Sequence, residues 1–358
     1  MPSSTPPLRA GTYYWKCDRP AAFHGSSGHD HATLSRMVES LVERRFSAPA
    51  EISEGPGQGN HVTFTATCGG RSLFIRIDDS PEHDGYLAIE SRVQETVRAL
   101  GIPTPEILAA DASRTEVPFA WQVMRRIDAP DINHHFKAGT LDLHSVSEAI
   151  GAAIATWQSL SPAGFGPFRS TEGALEGWHA TYGDYFFLHL DRHLHFLERE
   201  SFLTSAETSA IRQEIIAHQA LLDLPRGCLV HKDLAFWNIL GTPDEILAFI
   251  DWDDAISGDP MDDFSLLACF HGAQVLGPAL ASYQTRRALP PEHQRRFWLH
   301  LLRNMLVKSV IRIGAGYFDR SNSFFLINDG VDLKTFTHQR LCQALTGLRG
   351  DLPISSLR

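Results

Sequence analysis

Apolar side chains recur along the chain in two rhythms, and the change of rhythm divides it. Leu34, Met37, Leu41 and Val42 fall at three- and four-residue steps, the spacing of one buried helix face. HVTFTATC (61–68) then alternates with period two, Gly69-Gly70 offers a tight turn, and SLFIRID (72–78) resumes the alternation, which predicts a β-hairpin. Residues 86–100 return to helical spacing, with Gly101 as the stop and Pro103 and Pro105 preventing continuation. PEILAAD and FAWQVMRRI predict two further strands. Residues 34–127 therefore read as a small lobe on an antiparallel sheet. Residues 1–33 form an N-terminal extension rich in Pro, Ser, Gly and His, with an aromatic cluster at Tyr13, Tyr14 and Trp15.

From about residue 128 the helical rhythm takes over. Leu143, Val146, Ile150, Ile154 and Trp157 mark one helix, closed by Ser161-Pro162. Thr204 and Glu207 have capping-box spacing ahead of Ile211, Ile215 and Leu222. Two short apolar strands, GCLVHKD and EILAFIDWD, interrupt the helices, and 292–313 predicts another long one. The fold expected is α+β, with a small antiparallel-sheet lobe followed by a mostly helical lobe over 128–358.

Composition narrows the function without naming it. The 358 residues are 43% hydrophobic and 21% charged, an ordinary globular balance. A formal charge of -10 disfavours nucleic acid as a partner and suits neutral or cationic ones. No apolar run reaches membrane-spanning length, and the opening residues lack the apolar stretch of a secretory signal. Five scattered cysteines (Cys17, Cys68, Cys228, Cys269, Cys342) fit reduced thiols, so a cytoplasmic protein is expected.

The segment LVHKDLAFWNIL carries the chemistry. His231, Asp233 and Asn238 stand in the spacing HxDxxxxN, and Asp251 follows the next apolar strand. Phosphoryl transfer needs a carboxylate to orient the attacking hydroxyl and take its proton. It also needs oxygen ligands to hold Mg²⁺ against the nucleotide phosphates. Asp233 suits the first task; Asn238 and Asp251 suit the second. His231 is expected to be structural rather than catalytic, and Asp263 to pin or cap the following helix rather than touch substrate. A pair His189/His193 at helical spacing, and His29-Asp30-His31, are weak metal patterns without a third ligand.

HKDLAFWN and IDWDDAISGDPMDD resemble the catalytic loop and metal-binding segment of the aminoglycoside phosphotransferase family, over roughly residues 35–270. GFGPF (164–168) and the run RID…GIPTPEIL…MRRI are similar to its hygromycin B phosphotransferase branch. The resemblance implies a protein-kinase-like fold, ATP and Mg²⁺. It puts Arg76 in the place of the strand lysine that touches the nucleotide phosphates, an exchange that keeps the charge and changes its geometry. Glu90 is implied as the partner of that cation in preference to Glu95. Gly57, Gly59 and Asn60 match the nucleotide loop, though they also suit a plain hairpin turn. MRRI resembles the inter-lobe linker: Met124 precedes it, and Arg125 and Ile127 would offer a main-chain carbonyl and amide to adenine. Trp237, Trp252 and Asp254 flank the loop and either line a substrate pocket or belong to the core.

The acceptor implied is a hydroxyl of a small molecule, first an antibiotic sugar or cyclitol of aminoglycoside type, with resistance or self-protection as the role. Nucleoside antibiotics, macrolides, amino alcohols and simple sugars remain alternatives. Aromatic residues near the loops (Tyr182, Tyr185, Phe186, Phe187, Phe236) leave room for a stacking pocket. A protein kinase is disfavoured by the short span from Asp233 to Asp251 and the absence of a DFG sequence. A nucleotide-binding pseudokinase is disfavoured because every expected position is filled. A serine hydrolase lacks its nucleophile sequence.

Overall fold

The first helical stretch forms α1 (His31–Phe46), entered through Asp30, whose carboxylate accepts the Thr33 N–H. The computed structural model describes residues 28–56, 61–80, 85–169, 173–319 and 331–358; the cluster Tyr13, Tyr14 and Trp15 lies outside them. β1 (Ala50–Glu54), β2 (Val62–Cys68) and β3 (Arg71–Asp78) follow as an antiparallel meander. Gly69 and Gly70 both take positive φ (56° and 75°) between β2 and β3, a turn that matches strand twist and costs a side chain dearly.

α2 (Tyr86–Ala99) ends where expected, with Gly101 at φ 83°. β4 (Ile107–Asp111) and β5 (Ala120–Arg125) complete a five-stranded antiparallel sheet in the order β1-β2-β3-β5-β4. One face of this sheet packs on α1: Leu34, Val38, Leu41 and Val42 meet Phe64, Leu73, Ile75, Ile77 and Trp121. Period two then sends Arg76, between Ile75 and Ile77, to the opposite face. There α2 offers Glu90 and Gln94, one helical turn apart, while its Ile89, Val93 and Val97 join the larger core.

The second lobe begins with α3 (Ile132–Lys137) and α4 (Leu143–Trp157). Two short strands, β6 (Phe165–Phe168) and β7 (Gly177–His179), precede α5 (Tyr182–Phe186), α6 (Leu190–Arg199) and α7 (Ser205–Ala217). The capping box of Thr204 and Glu207 is present at the start of α7. β8 (Cys228–Val230) leads into the loop with Asp233. The hairpin β9 (Ile239–Gly241) and β10 (Ile246–Phe249) leads on to Asp251. β11 (Ile256–Gly258) joins β7, β6 and β8 in a four-stranded sheet of order β7-β6-β11-β8; only β8 of these was expected. α8 (Asp262–Ala268), α9 (Ala273–Gln284), α10 (His293–Gly314) and α11 (Leu333–Gly350) complete the lobe. α4 crosses α9 closely at Gly151, where a Cβ would stand 1.9 Å from the Ala279 carbonyl oxygen.

Candidate active site

Between β8 and β9 the backbone has no ladder partner, so side chains must hold it. Asp263, at the start of α8, accepts the N–H of His231 at 3.0 Å and that of Lys232 at 3.4 Å. Its second oxygen takes the indole N–H of Trp157 at 2.8 Å. Burial pushes the Asp263 carboxyl up to about 7, against these donors and with Asp262 adding to the rise. Lys232 adopts a left-handed backbone (φ 68°) and turns inward, with Nζ 2.8 Å from Asp262 Oδ2 and 2.8 Å from Asn304 Oδ1 on α10. His231 is wholly buried; its Nε2 donates to the Ile250 carbonyl at 3.0 Å and its Nδ1 accepts the Asp233 N–H at 3.3 Å. These two bonds define the tautomer and tie the loop to the β10 segment.

Held in this way, Asp233 stays partly open, with 19% of its side chain exposed. Asn238 donates Nδ2–H to the Asp233 carbonyl at 2.8 Å and to Asp233 Oδ2 at 3.0 Å. Flipping the amide would set oxygen against two acceptors, so its orientation follows from the partners. The Asn238 oxygen accepts no hydrogen bond among the described residues. The β9–β10 pairing sets Ile239 opposite Phe249, and Ile250 N–H bonds the Asn238 carbonyl at 3.0 Å, which carries Asp251 beside the loop.

Asp251 has φ 66°, a left-handed conformation uncommon outside glycine and enriched at functional sites. Lost hydration, and then the negative charge of Asp253, Glu90 and Asp233, push its carboxyl up against the pull of Arg76. Even so, 37% of the side chain is exposed, so the carboxylate faces open space. The open Asp251 carboxylate and the Asn238 amide oxygen, which accepts no hydrogen bond among the described residues, are hard oxygen ligands of the kind Mg²⁺ takes.

Arg76 links the two lobes. It pairs with Glu90, which is wholly buried, and donates to Asp251 Oδ1 at 3.1 Å. Burial alone would lower its pKa; Glu90, Asp251 and Asp253 together raise it, so the cation is permanent. Glu95 lies on the exposed side of α2 near Arg92. Met124 is buried, with Gln94 Nε2 3.5 Å from its sulfur. Arg125 is exposed and gives its N–H to the Glu106 carbonyl at 2.8 Å, whereas the Ile127 N–H makes no hydrogen bond among the described residues. Gly57, Gly59 and Asn60 lie outside the described residues.

The residues flanking the loop divide between core and cleft. Trp252 does not line a pocket: its ring is wholly buried, 4.3 Å from His231 and 5.3 Å from Trp157, and its N–H bonds the Phe249 carbonyl. Tyr182, Tyr185, Phe186 and Phe236 are likewise core. Trp237 keeps partial exposure and meets Phe270 edge-on at 4.5 Å. Asp254 is half-buried and acts electrostatically on Lys308. His193 is buried against Arg303 at 3.1 Å, so HxxxH does not form a metal pair. In the 29–31 run, His29 bonds Asp79 and Asp30 caps α1.

Two site residues escaped sequence reasoning. His61, at the entrance to β2, stands 3.5 Å from Asp253, a second contact between the lobes. Lys308 on α10 bonds Asp233 Oδ1 at 2.6 Å. Its signal was the polar series His300, Asn304, Lys308 and Arg312, one residue in every four along a helix that is mostly apolar from Phe297 onward.

Comparisons with known proteins agree with this picture. The model of a phosphotransferase enzyme family matches residues 52–298. A search of curated sequences gives no match. Among solved structures, aminoglycoside phosphotransferase APH(4)-Ia aligns at TM-score 0.61 and 18% identity, over 87% of this chain and 98% of that one. A candidate fructosamine-3-kinase from Thermobifida fusca YX-ER1 aligns at TM-score 0.61 and 19% identity, over 86% and 98%. A thermostable APH(4)-Ia mutant in ternary complex with ADP and hygromycin B aligns at 0.57 and 18%, over 86% and 98%. At these identities the likeness shows the fold, a kinase-like α+β arrangement of two lobes, as expected from the sequence.

Proposed function

The chain belongs to the phosphotransferase enzyme family, and from that premise we propose that it moves the γ-phosphoryl group of ATP to a hydroxyl of a small molecule. The observation that carries this reading is the convergence of Asp233, Asn238, Asp251 and the Arg76–Glu90 pair from four separate parts of the chain. Residues 34–127 would carry the nucleotide and 128–358 the acceptor. The backbone of Gly57, Gly59 and Asn60 would approach the phosphates, and Arg76 would neutralise them. Arg125 and Ile127 would present main-chain groups to adenine, and Met124 would back the base. Asn238 and Asp251 would hold Mg²⁺, which supplies charge and orientation to the phosphates when bound.

Asp233 orients the acceptor hydroxyl and receives its proton. The new bond joins the acceptor oxygen to the γ-phosphorus as the bond to ADP breaks. No covalent intermediate on the protein is needed. Catalysis then comes from positioning and from charge aimed at the transferring group.

For the acceptor, we propose an antibiotic sugar or cyclitol hydroxyl, with resistance or self-protection as the role. The formal charge of -10 suits a polycationic aminoglycoside, and the hygromycin B branch fits the GFGPF segment. Trp237, partly exposed in the loop that carries Asp233, and Asp254, which acts on Lys308, would face the acceptor. A sugar or ketosamine acceptor is the second reading, favoured because the candidate fructosamine-3-kinase aligns as well as APH(4)-Ia. A coupled ADP-release assay over aminoglycosides, other antibiotics, amino alcohols and glycated amines, with phosphorus NMR of the product, tests both. Turnover with peptides and none of these alcohols would overturn the small-molecule reading.

A further inference from the structure

The loop HKDLAFWN contains one cation, and it is turned away from the chemistry. Lys232 points into the core, where Asp262 and Asn304 take its ammonium. From Asp233 to Asn238 the remaining residues are Leu, Ala, Phe and Trp, none of them charged. Yet the cleft gathers Asp233, Asp251 and Asp253, and a nucleotide would add phosphate charge to that set. Transfer of a phosphoryl group spreads negative charge over its equatorial oxygens at the place where the acceptor meets Asp233. Arg76 and Mg²⁺ would serve the nucleotide phosphates; beside Asp233 the loop itself offers no cation.

Lys308 stands at that place. Its Nζ is 2.6 Å from Asp233 Oδ1, while Asn238 holds Oδ2, so each oxygen of the carboxylate has one partner. Only 12% of the side chain is exposed, and the ammonium lies 6.0 Å from the Phe270 ring centroid. Burying a flexible ammonium is costly unless its charge is used. The residue comes from α10, 75 positions beyond Asp233, and is carried by the same helix whose Asn304 secures Lys232. One rigid element thus fixes both the inward cation of the loop and the outward one.

We propose that Lys308 is a catalytic group: it holds Asp233 in one orientation and, as the acceptor hydroxyl engages that carboxylate, presents its charge to the transferring phosphoryl group. This rests on the phosphotransfer reading above. Lys308 contributes charge and one hydrogen bond and exchanges no covalent bond.

Because the acceptor is unidentified, the test uses nucleotides and water. In the full-length protein with Mg²⁺, affinities for AMP-PNP and for ADP with aluminium fluoride, a planar mimic of the phosphoryl group in flight, are measured by calorimetry. Slow ATP hydrolysis is followed in parallel. Lys308→Met is expected to leave AMP-PNP affinity within about threefold while weakening the aluminium fluoride complex and hydrolysis by about 100-fold. Lys308→Gln keeps an N–H for Asp233 without the charge and is expected to match Met, whereas Lys308→Arg retains most of the effect. If Met does not fold, Gln against Arg decides the matter. Wild-type behaviour in Gln, or equal loss of both complexes, would make Lys308 a structural residue and overturn the proposal. A wild-type protein that binds no AMP-PNP would instead remove the phosphotransfer reading on which the proposal stands.

Discussion

Acid should loosen the Asp233 loop through one imidazole. His231 is wholly buried between Trp157 and Trp252 and keeps its Nε2–H on the Ile250 carbonyl. Lost hydration pushes its pKa from the ordinary 6.5 down to about 4, although Asp233 and the Ile250 carbonyl pull the other way. The unfolded chain gains a proton at this position near pH 6.5, the folded protein only near pH 4. Stability is therefore whole above the unfolded value and is lost as pH falls toward the folded one. Integrating the proton difference gives a loss of about 2 kcal/mol from this residue between about pH 7 and about pH 5. His231→Gln retains an N–H for Ile250 and does not titrate. Urea unfolding at the two pH values should show the wild type losing about 2 kcal/mol more than the variant. His271, which burial pushes down to about 3, is present in both proteins and cancels. Equal losses in the two proteins would refute a neutral, buried imidazole at position 231.

Three further outcomes are expected. Asp233→Asn should abolish acceptor phosphorylation while AMP-PNP still binds in calorimetry; a near-normal kcat would remove Asp233 from its role. Asp251→Ala should cut the magnesium-dependent part of nucleotide affinity by at least about tenfold in a magnesium titration, and an unchanged titration would contradict the ligand assignment. Gly151→Ala should destabilise the protein by about 1–3 kcal/mol in chemical unfolding, because the new methyl group meets the Ala279 carbonyl across the α4–α9 crossing. Activity per folded molecule should stay normal in that variant.

Long elements were legible because period persists over many residues. α2, α4, α7 and α10, and the hairpin at Gly69-Gly70, needed only local information. β6, β7 and β11 span three or four residues each, so alternation had no length in which to register, and β11 pairs with β6 and β8, segments far earlier in sequence. The loop with Asp233 and Asn238 was readable because its polar groups sit close together in sequence between two apolar strands. Lys308 was not, because its partner lies 75 positions earlier and a lysine on a helix ordinarily marks a wet face. Trp252 stayed open between pocket and core in the sequence because it packs on Trp157, a residue of α4 that no local pattern connects to it. The order of the GDPMDD acids carries a similar lesson. Asp259, Asp262 and Asp263 are all wholly buried and hold Arg296, Lys232 and the loop backbone, while Asp251 alone among these four keeps substantial exposure.

The fourfold spacing on α10 makes that helix a phase-locked shaft. His300 and Asn304 engage groups deep in the lobe, and Lys308 engages the cleft. Slipping one extra residue between Asn304 and Lys308 would rotate everything downstream by roughly 100°. The inner anchors would stay seated while the ammonium swung off Asp233, and the buried Ser309, Val310 and Arg312 would leave their places in the core. Chimeras that splice foreign helices into this region must therefore preserve angular register before hydrophobicity, and a full heptad is the smallest insertion that nearly restores the alignment.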